Sequence, residues 1–185
     1  MRDNAVVLFS GGLDSTVVVA QEVEAGLPPH LLFFAYGQSQ EEQEFLVARQ
    51  FADRMSLSLE VQALPSLAKT DAVVWGARNG LMAMAGAAVA LRCGLNRIAL
   101  GCNFSDWERF PDCRPDFWKA VNMVLHCYNV SASMPLLRLT KTQVWREAQR
   151  LGICAEDTWS CYSPAKGQPC GQCLACKTRE EALKK

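Results

Sequence analysis

Histidine is nearly absent from this chain of 185 residues, with only His30 and His126. Neither belongs to a readable Ser-His-Asp or Cys-His arrangement, so triad-type nucleophilic catalysis has no candidate here. Net charge is absent too: Lys+Arg and Asp+Glu both total 19, which argues against a grip on nucleic acid through bulk charge, though not against a local basic patch. No apolar run is long enough to span a bilayer. The longest, residues 81–91, is rich in Ala and Met and reads as a buried helix. Residues 1–4 lead straight into the first apolar run, leaving no room for a signal peptide, so the cytoplasm is the expected address. There are no internal repeats and no low-complexity tract.

What is present begins with Leu8-Phe9-Ser10-Gly11-Gly12-Leu13-Asp14-Ser15-Thr16. The apolar run 5–9 (AVVLF) reads as a buried parallel strand, and residues 14–25 as a helix stopped by Gly26-Leu27-Pro28-Pro29. A glycine pair between strand and helix lets backbone N–H groups wrap a phosphate at the positive end of the helix. The Gly-Lys-Ser/Thr ending of a Walker A loop is missing, and so is the G-x-G-x-x-G spacing of a dinucleotide fingerprint. Ser10, Ser15 and Thr16 add hydroxyls. Asp14 is an unusual neighbour for phosphate unless it fixes the loop or meets Mg²⁺. A plain strand–turn–helix connection is the alternative.

Further strands are expected at 31–35, at 57–61 (weaker, because it alternates), at 97–101 and at 133–136. Helices are expected at 39–55, 78–93, 116–128 and 140–151. Ser39 and Glu42 have capping-box spacing at the start of the first of these. The helix at 116–128 should bury Phe117, Ala120, Val121, Val124 and Leu125. Residues 65–75 read as irregular, and residues 102–115 as a loop of Asp, Arg and aromatics suited to a planar polar ligand or to plain surface. Strands alternating with helices give an α/β class, a doubly wound parallel sheet whose ligands sit beyond the strands' C-terminal ends. Lys141 there meets phosphate or carboxylate, or is a solvated helix-start lysine.

The nine cysteines include Cys161, Cys170, Cys173 and Cys176, the last three at consecutive C-x-x-C spacings. Without an export signal, metal is expected before disulfides, and four thiolates suit a closed structural Zn²⁺ site. A redox C-x-x-C pair or an iron–sulfur cluster would use the same residues. The other five cysteines are expected to be buried small hydrophobes. The composition change near residue 157 divides the chain into a body, 1–156, and a zinc-binding tail, 157–185.

These stretches, in this order, resemble the 7-cyano-7-deazaguanine synthase (QueC) family of the PP-loop ATP pyrophosphatases. The resemblance rests on Phe9-Ser10-Gly11-Gly12-x-Asp14-Ser15-Thr16, Tyr36-Gly37-Gln38, Arg78-Asn79, Gly101 with Asp106, Pro111-Asp112-Cys113-Arg114, Pro135-Leu136 with Lys141, and the four-cysteine tail. It implies an enzyme that uses Mg-ATP to adenylate a 7-carboxylate on deazaguanine. Ammonia then displaces AMP, and the resulting amide is adenylated in turn and becomes a nitrile. It assigns ATP to Leu8, Phe9, Ser10, Gly11, Gly12, Leu13, Asp14, Ser15, Thr16, Val17 and Val18 with Tyr36, Gly37 and Gln38. Substrate goes to Arg78, Asn79, Asp106, Asp112 and Arg114, catalysis to Asp14, Asp106 and Lys141, and Zn²⁺ to the four cysteines. It also implies a homodimer, for which Trp75, Trp107, Trp118 and Trp145 are candidate surface residues.

Four departures fall near the implied substrate site. Gln40 replaces the family's usual His, Gly76-Ala77 its Pro-Gly, and Glu108-Arg109 its Ser-Gly, and the chain is shortened between about 64 and 74. QueC-like proteins of antiviral systems, which join a deazaguanine to a protein amine, are therefore a second implied reading, with a protein acceptor as partner. A non-catalytic nucleotide-binding module is a third, and a PP-loop enzyme acting on tRNA a fourth.

Overall fold

The computed structural model describes residues 4–65 and 76–184. The irregular stretch expected at 65–75, the shortened segment and Trp75 lie almost wholly outside the described residues. Among the described residues five strands form one sheet: β1 (Val6–Leu8), β2 (His30–Ala35), β3 (Leu59–Ala63), β4 (Arg97–Ala99) and β5 (Ser131–Ser133). Their order is β3-β2-β1-β4-β5 and every pairing is parallel. The α-helices of the described residues are α1 (Leu13–Glu24), α2 (Glu41–Arg54), α3 (Arg78–Arg92), α4 (Pro115–His126), α5 (Lys141–Arg150) and α6 (Leu174–Leu183). The sheet buries residues on both faces. One cluster holds Val7, Phe9, Leu31 and Phe33 with residues of α1, α2 and α5; the other holds Val6, Leu8, Leu32 and Ile98 with residues of α3 and α4. β1, covered on both sides, is apolar throughout, as the AVVLF run anticipated. β3 alternates because it is an edge strand with Val61 open to solvent.

Successive strands are added on one side of β1 up to β3 and on its other side from β4, so the switch-point crevice lies between β1 and β4, above Ser10 and Gly101. Close packing keeps that crevice narrow. A Cβ on Gly101 would stand 2.6 Å from the backbone of Asp14 and Ser15, and one on Gly86 would stand 2.7 Å from Leu8 Cδ2.

Several local expectations are corrected. No capping box forms at Ser39: α2 starts after Gln40 without a side-chain cap, and the Ser39 hydroxyl donates instead to the Tyr162 carbonyl at 2.7 Å. The last strand ends at Ser133, ahead of Pro135, which has no N–H for a ladder. On α4 the buried side runs through Trp118 and Leu125, leaving Val124 50% exposed. The cause is Asn122, which turns toward the sheet edge, accepts from Ala132 N at 2.7 Å and donates to Ala132 O at 3.1 Å. It satisfies the backbone of edge strand β5 where a second sheet neighbour would have been.

Of the five remaining cysteines only Cys102 and Cys113 are buried. Cys93, Cys127 and Cys154, at helix ends or beside a turn, are exposed. Trp118 and Trp145 belong to the core, so they offer no surface for self-association. A capping box opens α5: Thr140 Oγ1 accepts from Gln143 N and Gln143 Oε1 from Thr140 N. No helix among the described residues is long and apolar enough to cross a membrane.

Candidate active site and four-cysteine centre

A cavity of about 290 Å³ lies at the switch point. Its floor is Leu8, Leu32, Phe34 and Leu100 from the strand ends. Its polar wall is the loop Ser10, Gly12, Leu13, Asp14 and Ser15. Gly11 turns this loop with φ +73° and presses against α2, where a Cβ would meet Glu44 O at 2.8 Å. The Ser15 hydroxyl donates to Gly12 O at 3.0 Å, and Gly12 N donates to Ser10 Oγ at 3.3 Å. No side chain caps α1, so the amides of its first turn remain available to an anion at the positive end of the helix. The loop therefore fits a polyphosphate. Gly11, Thr16, Val17, Val18 and Gly37, also expected at the nucleotide, do not line the cavity. Thr16, Val17 and Val18 are core residues behind the loop.

Asp14, Asp106 and Lys141 come together around a residue that sequence reasoning did not single out. Asn103 is fully buried and donates to Asp14 Oδ2 at 3.3 Å and to Asp106 Oδ2 at 2.6 Å. Lys141 Nζ donates to Asp14 Oδ2 at 2.6 Å. Lys141 is thus a partner of a carboxylate and not a solvated helix-start lysine. Burial alone would lower the pKa of its ammonium, but the charge and hydrogen bond of Asp14, helped by Asp106, outweigh it and hold the pKa above its usual range. Burial raises the carboxyl of Asp106 despite Lys141 nearby. Asp14 Oδ1 is buried with no hydrogen-bond partner. An orphaned carboxylate oxygen beside a phosphate loop suits Mg²⁺, which would shield phosphate charge there.

The far wall is built by Asn79, Asp112 and Arg78. Asn79 N donates to Asp112 Oδ2 at 3.1 Å, and Arg78 Nη1 donates to Tyr36 Oη at 3.0 Å. Arg114 does not join them: its Nε donates to Trp107 O at 2.7 Å, and the residue is exposed, outside the cavity lining. Arg109 stands at the cavity and Gln40 is buried beside it.

Glu44 was also missed. It lines the cavity on α2 and accepts from Gln38 Nε2 at 3.2 Å and from Gln40 Nε2 at 3.3 Å. Desolvation pushes its carboxyl up to about 7. In sequence it is one of three acids in the run Glu41-Glu42-Gln43-Glu44, with nothing local to set it apart.

The cavity is closed on one side by the tail: Trp159, Ser160, Tyr162, Leu174, Ala175 and Thr178 all line it. Trp159 N donates to Gly11 O at 2.8 Å. The ligand sulfurs of Cys161, Cys170, Cys173 and Cys176 lie within 4.8 Å of one another. A tetrahedral zinc with Zn–S of about 2.3 Å wants its sulfurs roughly 3.8 Å apart, close to this spacing. Backbone amides converge on the sulfurs: Cys170 N on Cys161 at 3.2 Å, Cys173 N on Cys170 at 3.3 Å, Gln172 N on Cys170 at 3.5 Å and Cys176 N on Cys173 at 3.5 Å. Such donors favour thiolates, and those of Gln172 and Cys173 bring Cys170 down to about 6. The four residues fit Zn²⁺.

Phosphate loop, switch-point cavity and parallel sheet together define the PP-loop fold. Two solved structures share it. The structure of NMN synthetase from Francisella tularensis matches with TM-score 0.63 and 17% identity, over 100% of this chain and 78% of its own. A 4-thiouridine synthetase–RNA complex with bound ATP matches with TM-score 0.59 and 16% identity, over 98% and 50%. The sequence narrows this class further. Residues 4–74 and 68–185 match the family described as "Queuosine biosynthesis protein QueC". Curated relatives named 7-cyano-7-deazaguanine synthase include one from Prochlorococcus marinus (strain NATL1A), 31% identical over 100% of this chain and 94% of its own length. Another, from Thermoplasma acidophilum, is 31% identical over 96% and 86%. The chain belongs to the QueC family. The Prochlorococcus alignment runs over 219 positions against 185 residues here, so the relative carries residues this chain lacks.

Proposed function

We propose that this chain is an ATP-dependent synthase that makes 7-cyano-7-deazaguanine from 7-carboxy-7-deazaguanine and ammonia. The observation that carries this reading is one cavity lined by the phosphate loop on one side and by Asn79, Asp106 and Asp112 on another. That arrangement would set a carboxylate against the α-phosphate of ATP, with Asp106 and Asp112 toward the guanine-like edge. The carboxylate oxygen attacks the α-phosphorus and pyrophosphate leaves. The amine then displaces AMP, and the amide is adenylated in its turn and loses AMP to become the nitrile. In each step the protein aligns the groups and offsets developing negative charge, the latter through loop amides, the α1 terminus and Lys141. Mg²⁺ at Asp14 would add to that charge compensation, and Zn²⁺ at the four cysteines would have a structural role.

Mass spectrometry of products from purified chain, the deazaguanine acid, ammonium and Mg-ATP tests the proposal. Amide and nitrile with AMP support it, and ATP bound without AMP release refutes it. The second reading, transfer to a protein amine, draws on Gln40 and Arg109, which stand at the cavity. A deazaguanine-sized mass on a partner protein is its signature, and free nitrile as sole product would exclude it. We also propose self-association through α3 and α4, which pack together and carry Met84, Leu91, Met123 and Val124 to the surface. A monomeric mass in sedimentation at micromolar concentration would refute that.

A further inference from the structure

Among the carboxylates that line the cavity, Glu44 is the one that the adenylation chemistry leaves without a task. Loop amides, Lys141 and Asp14 attend to phosphate, and Asp106, Asp112 and Asn79 to the ring. Yet Glu44 is held with care. Both of its carboxylate oxygens accept amide N–H groups, Oε2 from Gln38 and Oε1 from Gln40. Gln38 is itself fixed, accepting from Tyr36 N at 3.0 Å and donating to Phe34 O at 3.2 Å. The backbone of Glu44 is packed on Gly11, which places the residue beside the phosphate loop.

The charged and titratable groups around it are Arg78 from α3, Tyr36 from the end of β2 and Glu41 on its own helix. Arg78 acts through space, without a hydrogen bond to the carboxylate, and Glu41 opposes it. Glu44 forms no ion pair within the described residues. A desolvated carboxylate with no cation of its own, facing a reaction cavity, is arranged to receive a cation or a proton from outside.

We propose that Glu44 is the base of the amine-transfer half-reaction: its carboxylate binds the incoming ammonium beside the phosphate loop and takes the proton that frees the nitrogen lone pair. This rests on the synthase reading. The ammonium gives one proton to Glu44 and becomes free amine. Nitrogen attacks the acyl carbon, and the C–N bond forms as the C–O bond to AMP breaks. AMP leaves with that electron pair, and a second N–H proton passes to water. The carboxyl, with a pKa near neutrality, can accept at pH 7 and release to solvent before the next turnover. The first adenylation, which the exchange assay reads, needs no such base, because the substrate acid is already ionised.

The test uses the full zinc-loaded chain and the variant Glu44→Gln, whose amide still accepts a hydrogen bond from Gln38 or Gln40. Two steps are read separately: acid-dependent exchange of labelled pyrophosphate into ATP, and amide formation from ammonium. Exchange is expected to stay within about threefold of the unaltered chain, while amide formation at pH 7 falls at least ~100-fold, the usual worth of a positioned base. The acid limb of the amide-formation pH profile, near 7, should vanish. Hydroxylamine, largely unprotonated at neutral pH, should restore acyl transfer, and Glu44→Asp should retain the acid limb at a reduced rate. Amide formation at the unaltered rate, an equal loss of exchange, or failure of hydroxylamine to rescue would each overturn the inference. Absence of exchange in the unaltered chain would instead overturn the synthase reading, a result distinct from all three.

Discussion

Gly11→Ala isolates what the phosphate loop requires of its backbone. The residue has φ +73°, and an added Cβ would lie 2.8 Å from Glu44 O, 3.0 Å from Ala48 N and 3.3 Å from Ala48 Cβ. Two costs combine. The left-handed conformation costs an alanine about 1–2 kcal/mol. The Cβ also meets backbone on a packed helix, which cannot swing aside as a side chain can, and forcing such contacts costs roughly 1–3 kcal/mol more. Gly26 is the internal control: φ is +74° but nothing lies within 4 Å of its added Cβ, so Gly26→Ala should lose only the first part. Thermal unfolding of the two variants side by side measures the difference. With about 2–4 °C per kcal/mol for a chain of this size, Gly11→Ala should melt roughly 2–12 °C below Gly26→Ala. It should also bind ATP more weakly, since the loop must shift to make room. Equal melting temperatures would refute the claim that the loop is wedged against α2.

Three further outcomes are expected. Lys141→Met should cost ~2–3 kcal/mol in denaturant unfolding, less than a fully buried pair would, because its side chain and that of Asp14 keep 21% and 17% of their surface exposed. Adding Asp14→Asn should recover much of it, and a double mutant no more stable than the single would contradict the pairing. The Arg150 hydrogen bond, with that of Gln21, holds the Glu147 carboxyl down at about 2, below its ordinary 4.5. This contribution is fully present above the ordinary value and is lost as pH falls toward about 2, so Glu147→Gln should flatten that acid limb of melting temperature against pH. Elemental analysis should find one zinc per chain, and its removal, or Cys176→Ser, should cost at least ~3 kcal/mol. An apo chain with unchanged melting temperature and ATP affinity would refute a structural role.

Which features were legible in the sequence follows from how local their causes are. The buried strand 5–9 and the glycine loop are written in consecutive residues, and each stands in the structure where its pattern put it. The cysteine spacing is equally local, because chain geometry alone brings Cys170, Cys173 and Cys176 together. Asn103, Lys141 and Glu44 are different. Asn103 matters because it lies between acids on two separate segments, Asp14 and Asp106. Lys141 looks like any helix-start lysine until the fold sets Asp14 against it. Glu44 sits in a run of charge, and only the seating of α2 on Gly11 turns it inward. The error on α4 has the same origin: periodicity showed an apolar stripe, but edge strand β5 needed hydrogen bonds more than the core needed Val124.

The four-cysteine segment is joined to the site more closely than a change of composition at residue 157 suggests. Leu174, Ala175 and Thr178 at the start of α6 are cavity wall, and Cys173 and Cys176 flank and share that first turn. Arg179, one turn on, donates to Thr158 Oγ1 at 2.7 Å and to Ser160 Oγ at 3.2 Å. Trp159, between those two, donates its backbone N–H to Gly11 O in the phosphate loop. A metal that fixes the four sulfurs therefore fixes the turn that closes the cavity, and through Trp159 it braces the loop that would hold the phosphates. This continuity is why zinc loss should lower ATP affinity as well as melting temperature. Trp159→Pro, which deletes that one N–H while sparing the cysteines, should separate the two effects: zinc content should stay at one per chain while ATP affinity falls. Unchanged affinity in that variant would show that the tail closes the cavity without bracing the loop.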